Sequence, residues 1–360
     1  MTTHNASELI RRKLLRWRVL TGILSCVVAL LVGVVVWLLV WSGGEAPSAS
    51  AGGRPTAGIQ PILRITGPGS GAHPRFDKPL AAAFAPNGDI YVADTGHNRV
   101  CVFGPGGTFK FEFGGLGVAK PLPNGRYTWR PGLMNHPSGI AIDSAGNVFV
   151  ADLRNNQIQV FDSQGTFTRR FPDPSTVVAK GASGYGGRGI AVTDVAVDNG
   201  RVFATDTYQI VEFDTTGRVI AQWGRPGPGS GDLDHPTGIA VSGDRVAVSD
   251  SNHLRVLGFS TSSAPLWGSD TATDSPRSAR LELPRGLTKY GSSWLVADAL
   301  GQGVVELSSS GVVSAYYGAR GTAPGEFNFP TDVDARGTRV LVADKENNRV
   351  QVVGLTRGGR

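Results

Sequence analysis

The chain has 360 residues, 40% of them hydrophobic, with 50 glycines and 22 prolines, so it can bury a large core but is built on turns rather than long helices. Its two cysteines, Cys26 in an apolar run and Cys101 in a predicted strand, exclude a disulfide framework, a zinc knuckle and a CxxC redox pair. The formal net charge is +6, but residues 1–41 hold five basic side chains against Glu8, which leaves only +2 for the rest; nucleic-acid binding is therefore not expected.

Residues 1–18 form a basic arm with Arg11, Arg12, Lys13, Arg16 and Arg18. Residues 19–41 then read VLTGILSCVVALLVGVVVWLLVW, without a charge. As a helix this run covers about 34 Å, against about 30 Å for a hydrocarbon core. Basic residues precede it and none follows until Arg54, so the expectation is an uncleaved signal anchor: a single-pass cell-membrane protein with its N-terminus cytoplasmic and the remainder outside. A cleaved signal peptide, cut near Ala49 or Ala51, is the competing reading, although such apolar regions span about 7–15 residues. A lipobox-like ILSC ends at Cys26, but the apolar run continues beyond it. Residues 42–58, SGGEAPSASAGGRPTAG, read as a flexible linker.

Residues 59–355 carry an internal repeat, followed by a short tail at 356–360. YVADTGHNRVCVF, from Tyr91, is echoed by FVADLRNNQIQVF, FATDTYQIVEF, AVSDSNHLRVLGF, LVADALGQGVVEL and LVADKENNRVQVV. The shared aspartates are Asp94, Asp152, Asp206, Asp250, Asp298 and Asp344. In each unit a strand usually led by proline, a glycine turn, a strand ending in the aspartate and two further strands describe a four-stranded antiparallel sheet. Such a sheet is apolar on both faces and must be sandwiched by neighbours, which a ring of blades achieves. The sixth unit lacks a fourth strand, while PILRITG from Pro61 has no unit of its own; it is expected to complete the last blade and fasten the ring.

With these elements assembled, the chain resembles the NHL-repeat family. The residues that carry the likeness are PSGIAID and PTGIAV, VADTGHNRV and VADKENNRV, and QIQVF and RVQVV. The resemblance implies an all-β, six-bladed NHL-type β-propeller. It says little about function, because that family includes enzymes, RNA binders, sensors and protein-binding modules. The third and fifth units, with DTYQI and DALGQG, lack the asparagine–arginine pair. Six recurrences make the aspartates structural: each is expected to accept turn N–H groups, with the arginine five residues on as a partner.

Outside the repeated motif the sequence offers few candidates for catalytic chemistry. Peptide amidating lyases, an NHL-type enzyme class that this chain resembles in fold, hold zinc through histidines directly after the strand-leading proline. The matching positions here are Leu80, Ser138, Thr193, Thr237, Arg285 and Thr331, and none is histidine; His136 and His235 stand one residue before their prolines. No GxSxG elbow occurs. Asp194 and Asp332 replace the glycine of PxGIA in units that face each other across a six-fold ring; they either line a channel and hold a cation or, as favoured here, bond neighbouring backbone N–H groups. No catalytic residue, metal site or cofactor is assigned.

Two connections between units are swollen, 114–136 and 172–189. They contain Lys120, Arg126, Tyr127, Trp129, Arg130, Lys180, Tyr185 and Arg188 against the single acid Asp173, a composition that suits a binding surface on a rigid scaffold. The expected function is a membrane-anchored extracytoplasmic binding or sensing module whose partner is an envelope protein, a peptide or an anionic wall polymer. The alternative is a metal-dependent propeller lyase or hydrolase.

Overall fold

In a computed structural model of the chain, residues 56–69, 74–118, 120–121, 127–171, 191–270 and 280–356 are described. Their strands form six four-stranded units. Five are contiguous, spanning 81–114, 137–171, 194–223, 236–268 and 284–317. The sixth takes Pro330–Arg336, Arg339–Asp344 and Arg349–Thr356, and its outer strand is Thr56–Ile65. That closing strand runs antiparallel to Arg349–Thr356, from Gly58 opposite Thr356 to Ile65 opposite Val350. The sequence expectation is thus borne out, with an extension: the strand begins at Thr56, inside the stretch read as linker. Its first residues also pair in parallel with the outer strand of blade five, Thr56 with Tyr316 and Ala57 with Tyr317.

The core is divided into six apolar layers, one between each pair of adjacent blades. One layer joins Val92 and Phe103 of blade one to Leu341 and Val350 of blade six; others join blades one and two, two and three, and so on around the ring. This is why the middle strands are buried on both faces, as Val148–Asp152 and Gln157–Phe161 are in blade two. A lone four-stranded sheet with two apolar faces would be insoluble, so closure into a ring is the state that removes both from water.

Candidate functional site

The repeated aspartates act as clamps. Each accepts a backbone N–H from the segment entering its own blade: Asp77 to Asp94 at 2.7 Å, Asn135 to Asp152 at 2.6 Å, Ala191 to Asp206 at 3.0 Å, Asp234 to Asp250, Leu283 to Asp298 and Asn328 to Asp344, the last three at 2.7 Å. The arginine five residues on donates Nε to the other carboxylate oxygen in blades one, four and six, at 2.8, 2.8 and 2.6 Å. Its remaining N–H groups reach the incoming connection, as from Arg349 to the carbonyls of Thr322, Ala323 and Glu326. Blades two, three and five replace the arginine with Gln157 Nε2, Gln209 Nε2 and the Gly301 N–H, and their aspartates still clamp. The turn asparagine has a role that the sequence did not announce. Asn98 and Asn348 sit in the left-handed region, and their side-chain oxygens accept the N–H of the residue before the next blade's proline, His136 and Lys78, both at 2.8 Å.

A central channel runs between the inner strands. Near its middle, Asp194 of blade three and Asp332 of blade six each lie over a glycine of the preceding blade, Gly139 and Gly286, where any added methyl group would collide with the carboxylate. Each accepts a backbone N–H of the following blade, Ile239 to Asp194 and Ala82 to Asp332, both at 3.0 Å. The favoured reading of these two aspartates therefore holds. Among the described residues no group of three His, Cys, Asp or Glu side chains could hold a metal ion.

The channel admits water, yet protein surrounds both carboxylates. Desolvation pushes Asp194 up to about 7, and desolvation together with the nearby Asp194 charge holds Asp332 well above the usual carboxylate range. Because the folded state then keeps protons that the unfolded chain releases near pH 4, this contribution to stability is full below that pH and is lost as pH rises through about 7. Asp194→Asn keeps the hydrogen-bond acceptor and should flatten the fall in stability between pH 5 and 8. Denaturant melts across that range test it; parallel curves for variant and parent would rule out Asp194 as the source.

At one end the channel opens into a mouth lined by Leu80, Ser138, Thr193, Thr237, Arg285 and Thr331, the positions that follow the strand-leading proline or, in blade three, Val192. Hydroxyls near this ring join blade to blade. Thr95 donates to the Pro137 carbonyl at 2.7 Å, Ser138 to Thr193 at 2.8 Å, Thr193 to Pro236 at 2.6 Å, Ser251 to Pro284 at 2.6 Å and Thr331 to Leu80 at 2.8 Å. With no histidine at those positions, the mouth does not fit the zinc of a lyase. His136 also lines it, although burial and the charges of Arg154 and Lys345 lower its pKa. His136 is not yet in the strand but in a left-handed turn before it, so strand alternation does not govern its direction. His235 is held by Asp234 and Asn252. Burial pushes the Cys101 thiol far above its ordinary range, which leaves it inert as a nucleophile.

The first swollen connection stands on the same face as the mouth. Asn155, in the turn after Asp152, donates to the Gly117 carbonyl at 2.8 Å, while Lys120 and Pro121 pair with Thr128 and Tyr127 in a small hairpin. Trp129 lies edge-on to Phe167, ring centres 5.3 Å apart, with the Arg170 guanidinium 3.8 Å over its ring. It is anchored to blade two. Lys120 and Arg130 are exposed, as are Leu116 at 62% and Val118 at 52%. Of the other residues assigned to this surface, Tyr127 is described by its backbone alone, and Arg126, Lys180, Tyr185 and Arg188 lie outside the described residues, as does the apolar run 19–41. Among the described residues no helix is long and apolar enough to cross a membrane.

Three segments match the family model for the NHL repeat: residues 76–103, 134–161 and 233–259, in blades one, two and four. The chain carries NHL repeats. Blades three, five and six, outside the matched segments, have the same four-stranded build with altered turns or a borrowed strand. Among curated proteins the chain is 27% identical over 155 residues to the protein brain tumor of Drosophila melanogaster, covering 42% of this chain and 13% of that protein. It is 28% identical over 138 residues to peptidylglycine alpha-amidating monooxygenase of Rattus norvegicus, covering 35% and 14%. The chain thus spans a small part of the length of either relative. Among solved structures, virginiamycin B lyase from Staphylococcus aureus superposes with a TM-score of 0.52 at 13% identity, covering 83% of this chain and 99% of the lyase. A gluconolactonase from Xanthomonas campestris gives 0.51 at 14%, covering 78% and 86%. At such identities these two speak for the fold alone.

Proposed function

We propose that this NHL propeller is a binding or sensing module, anchored in the cell membrane by residues 19–41 and displayed outside, that recognises an envelope protein, a peptide or an anionic wall polymer on its connection-bearing face. The observation that carries this reading is the first swollen connection: fixed to blade two through Trp129, it offers Leu116 and Val118 together with Lys120 and Arg130 to solvent. Apolar and cationic side chains on a rigid base match the composition of recognition surfaces. The chain is similar both to the protein brain tumor and to an amidating monooxygenase, so likeness alone does not choose between binding and catalysis.

The test is retention of partners by the displayed domain. Lys120→Glu with Arg130→Glu should lower capture of an acidic partner at least tenfold without moving the melting temperature, because both side chains are exposed. Trp129→Ala should instead lower stability, by about 1–3 kcal/mol for a half-buried aromatic. Undiminished capture by the double charge reversal would remove this connection from the recognition surface. Capture should also weaken as salt rises, since exposed charges are screened within about 8 Å at physiological ionic strength.

A further inference from the structure

The mouth of the channel breaks its own pattern at one place. Hydroxyl-to-carbonyl bonds cross five of the six blade boundaries there; at the boundary between blades five and six, the position belongs to Arg285. Its Nε is buried without a hydrogen-bond partner, and among the described residues its guanidinium makes neither an ion pair nor a hydrogen bond. The guanidinium lies 5.9 Å from the centre of the Phe329 ring. A buried donor with no acceptor is costly to keep, so the arrangement calls for an acceptor from outside.

The surroundings specify its charge. Lys78 and Lys345 stand at the rim and share one carboxylate, Glu346, at 3.8 and 2.8 Å, which leaves an excess of positive charge. Among the described residues no carboxylate lines the mouth itself. Asp194 and Asp332 lie one step further down the channel and are occupied with the N–H groups of Ile239 and Ala82. The cavity measures about 450 Å³, within the range of about 300–1,000 Å³ for small-molecule sites. Blade two faces blade five across the ring, so Leu153 is set opposite Arg285 and, with Leu80, supplies an apolar wall. A guanidinium offers a planar fork that matches a two-oxygen acceptor. We propose that the channel mouth binds a small organic oxyanion, a carboxylate or phosphate monoester with an apolar body, whose anionic group is held by Arg285. The mouth and the swollen connection share only His136, which neither proposal uses, so this site stands or falls independently of the proposed recognition face.

The full-length chain in detergent, titrated by ligand-observed NMR with benzoate, phenyl phosphate and the neutral benzamide, tests the site. At least one anion should bind, with benzamide at least tenfold weaker; whichever of benzoate and phenyl phosphate binds more tightly identifies the group the fork prefers. Arg285→Gln should reduce anion affinity at least tenfold while leaving the melting temperature in place, because Arg285 supports no protein hydrogen bond. Arg285→Lys, which keeps the charge but not the fork, should lose affinity at least threefold, and it decides the matter if the glutamine variant melts early. Equal binding of acid and amide, no binding of either anion at millimolar concentration, or parental affinity in the substituted chain that folds would overturn the proposal.

Discussion

Excising Thr56–Ile65 and rejoining the chain on either side is expected to lower the stability of the propeller by at least about 4 kcal/mol. Ile65 is 5% exposed and belongs to the layer between blades six and one, with Leu63 packed against it; Ile59 packs into the layer between blades five and six. Loss of each buried aliphatic side chain costs about 2–5 kcal/mol, and the strand's hydrogen bonds to Arg349–Thr356 go with them. The exposed edge of that strand would then be free to pair with other chains, so aggregation should accompany the lower melting temperature. A truncated chain that melts with the parent would mean that the ring does not depend on this fastener. Ile65→Ala alone should reproduce part of the loss, in the same range of about 2–5 kcal/mol.

Asp344→Ala is expected to cost about 3–5 kcal/mol, the range for breaking one side of a buried ion pair. Asp344 is fully buried and Arg349 is 3% exposed; without the carboxylate, Arg349 keeps only the neutral carbonyls of Thr322, Ala323 and Glu326. Asp94→Ala should cost less, although the clamp geometry is the same, because Arg99 retains Glu112 at 2.6 Å. Replacing Asp344 and Arg349 together with apolar residues of similar volume should recover part of the loss, since no unpaired buried charge remains. Denaturant melts of the three variants rank them. An Asp94→Ala cost equal to that of Asp344→Ala would show that the clamped backbone N–H groups, rather than the orphaned arginine, set the penalty.

The ring was legible in the sequence because its cause is periodic: six aspartates at similar spacing, and a strand-like PILRITG with no unit of its own, define both the blade count and the closure. The aspartate–arginine pair was legible too, since the two recur five residues apart, but the backbone partner was not: in blades one, two, four and six the clamped N–H comes from the segment entering the blade and not from the aspartate's own turn. What else escaped was interblade. Asn98 belongs to the same turn, but its partner, the His136 N–H, is in the next blade, and a repeat read one unit at a time cannot reveal a bond between units. Arg285 is the one charged member of its series, but a repeat pattern does not distinguish an arginine whose Nε is buried without a partner from a solvated one. Composition also hid the start of the closing strand: Thr56–Gly58 look like linker, and only their pairing with Tyr316, Tyr317 and Thr356 makes them sheet.

The closing strand has a consequence for the order in which the protein becomes itself. Within the propeller Thr56–Ile65 is made before every other described strand and its partner, Arg349–Thr356, after them, so the closing strand has no place to go until the other strands of the ring exist. Blades one to five can form from local hairpins as they emerge, whereas blade six waits for a contact between the two ends of the domain, the kind of long-range pairing that makes β proteins slow to finish. Until then Leu63 and Ile65 remain uncovered, and an incomplete ring presents its two terminal blade faces as adhesive surfaces. The vulnerable period in the life of this protein is therefore the interval between the release of its last strand and the docking of its first.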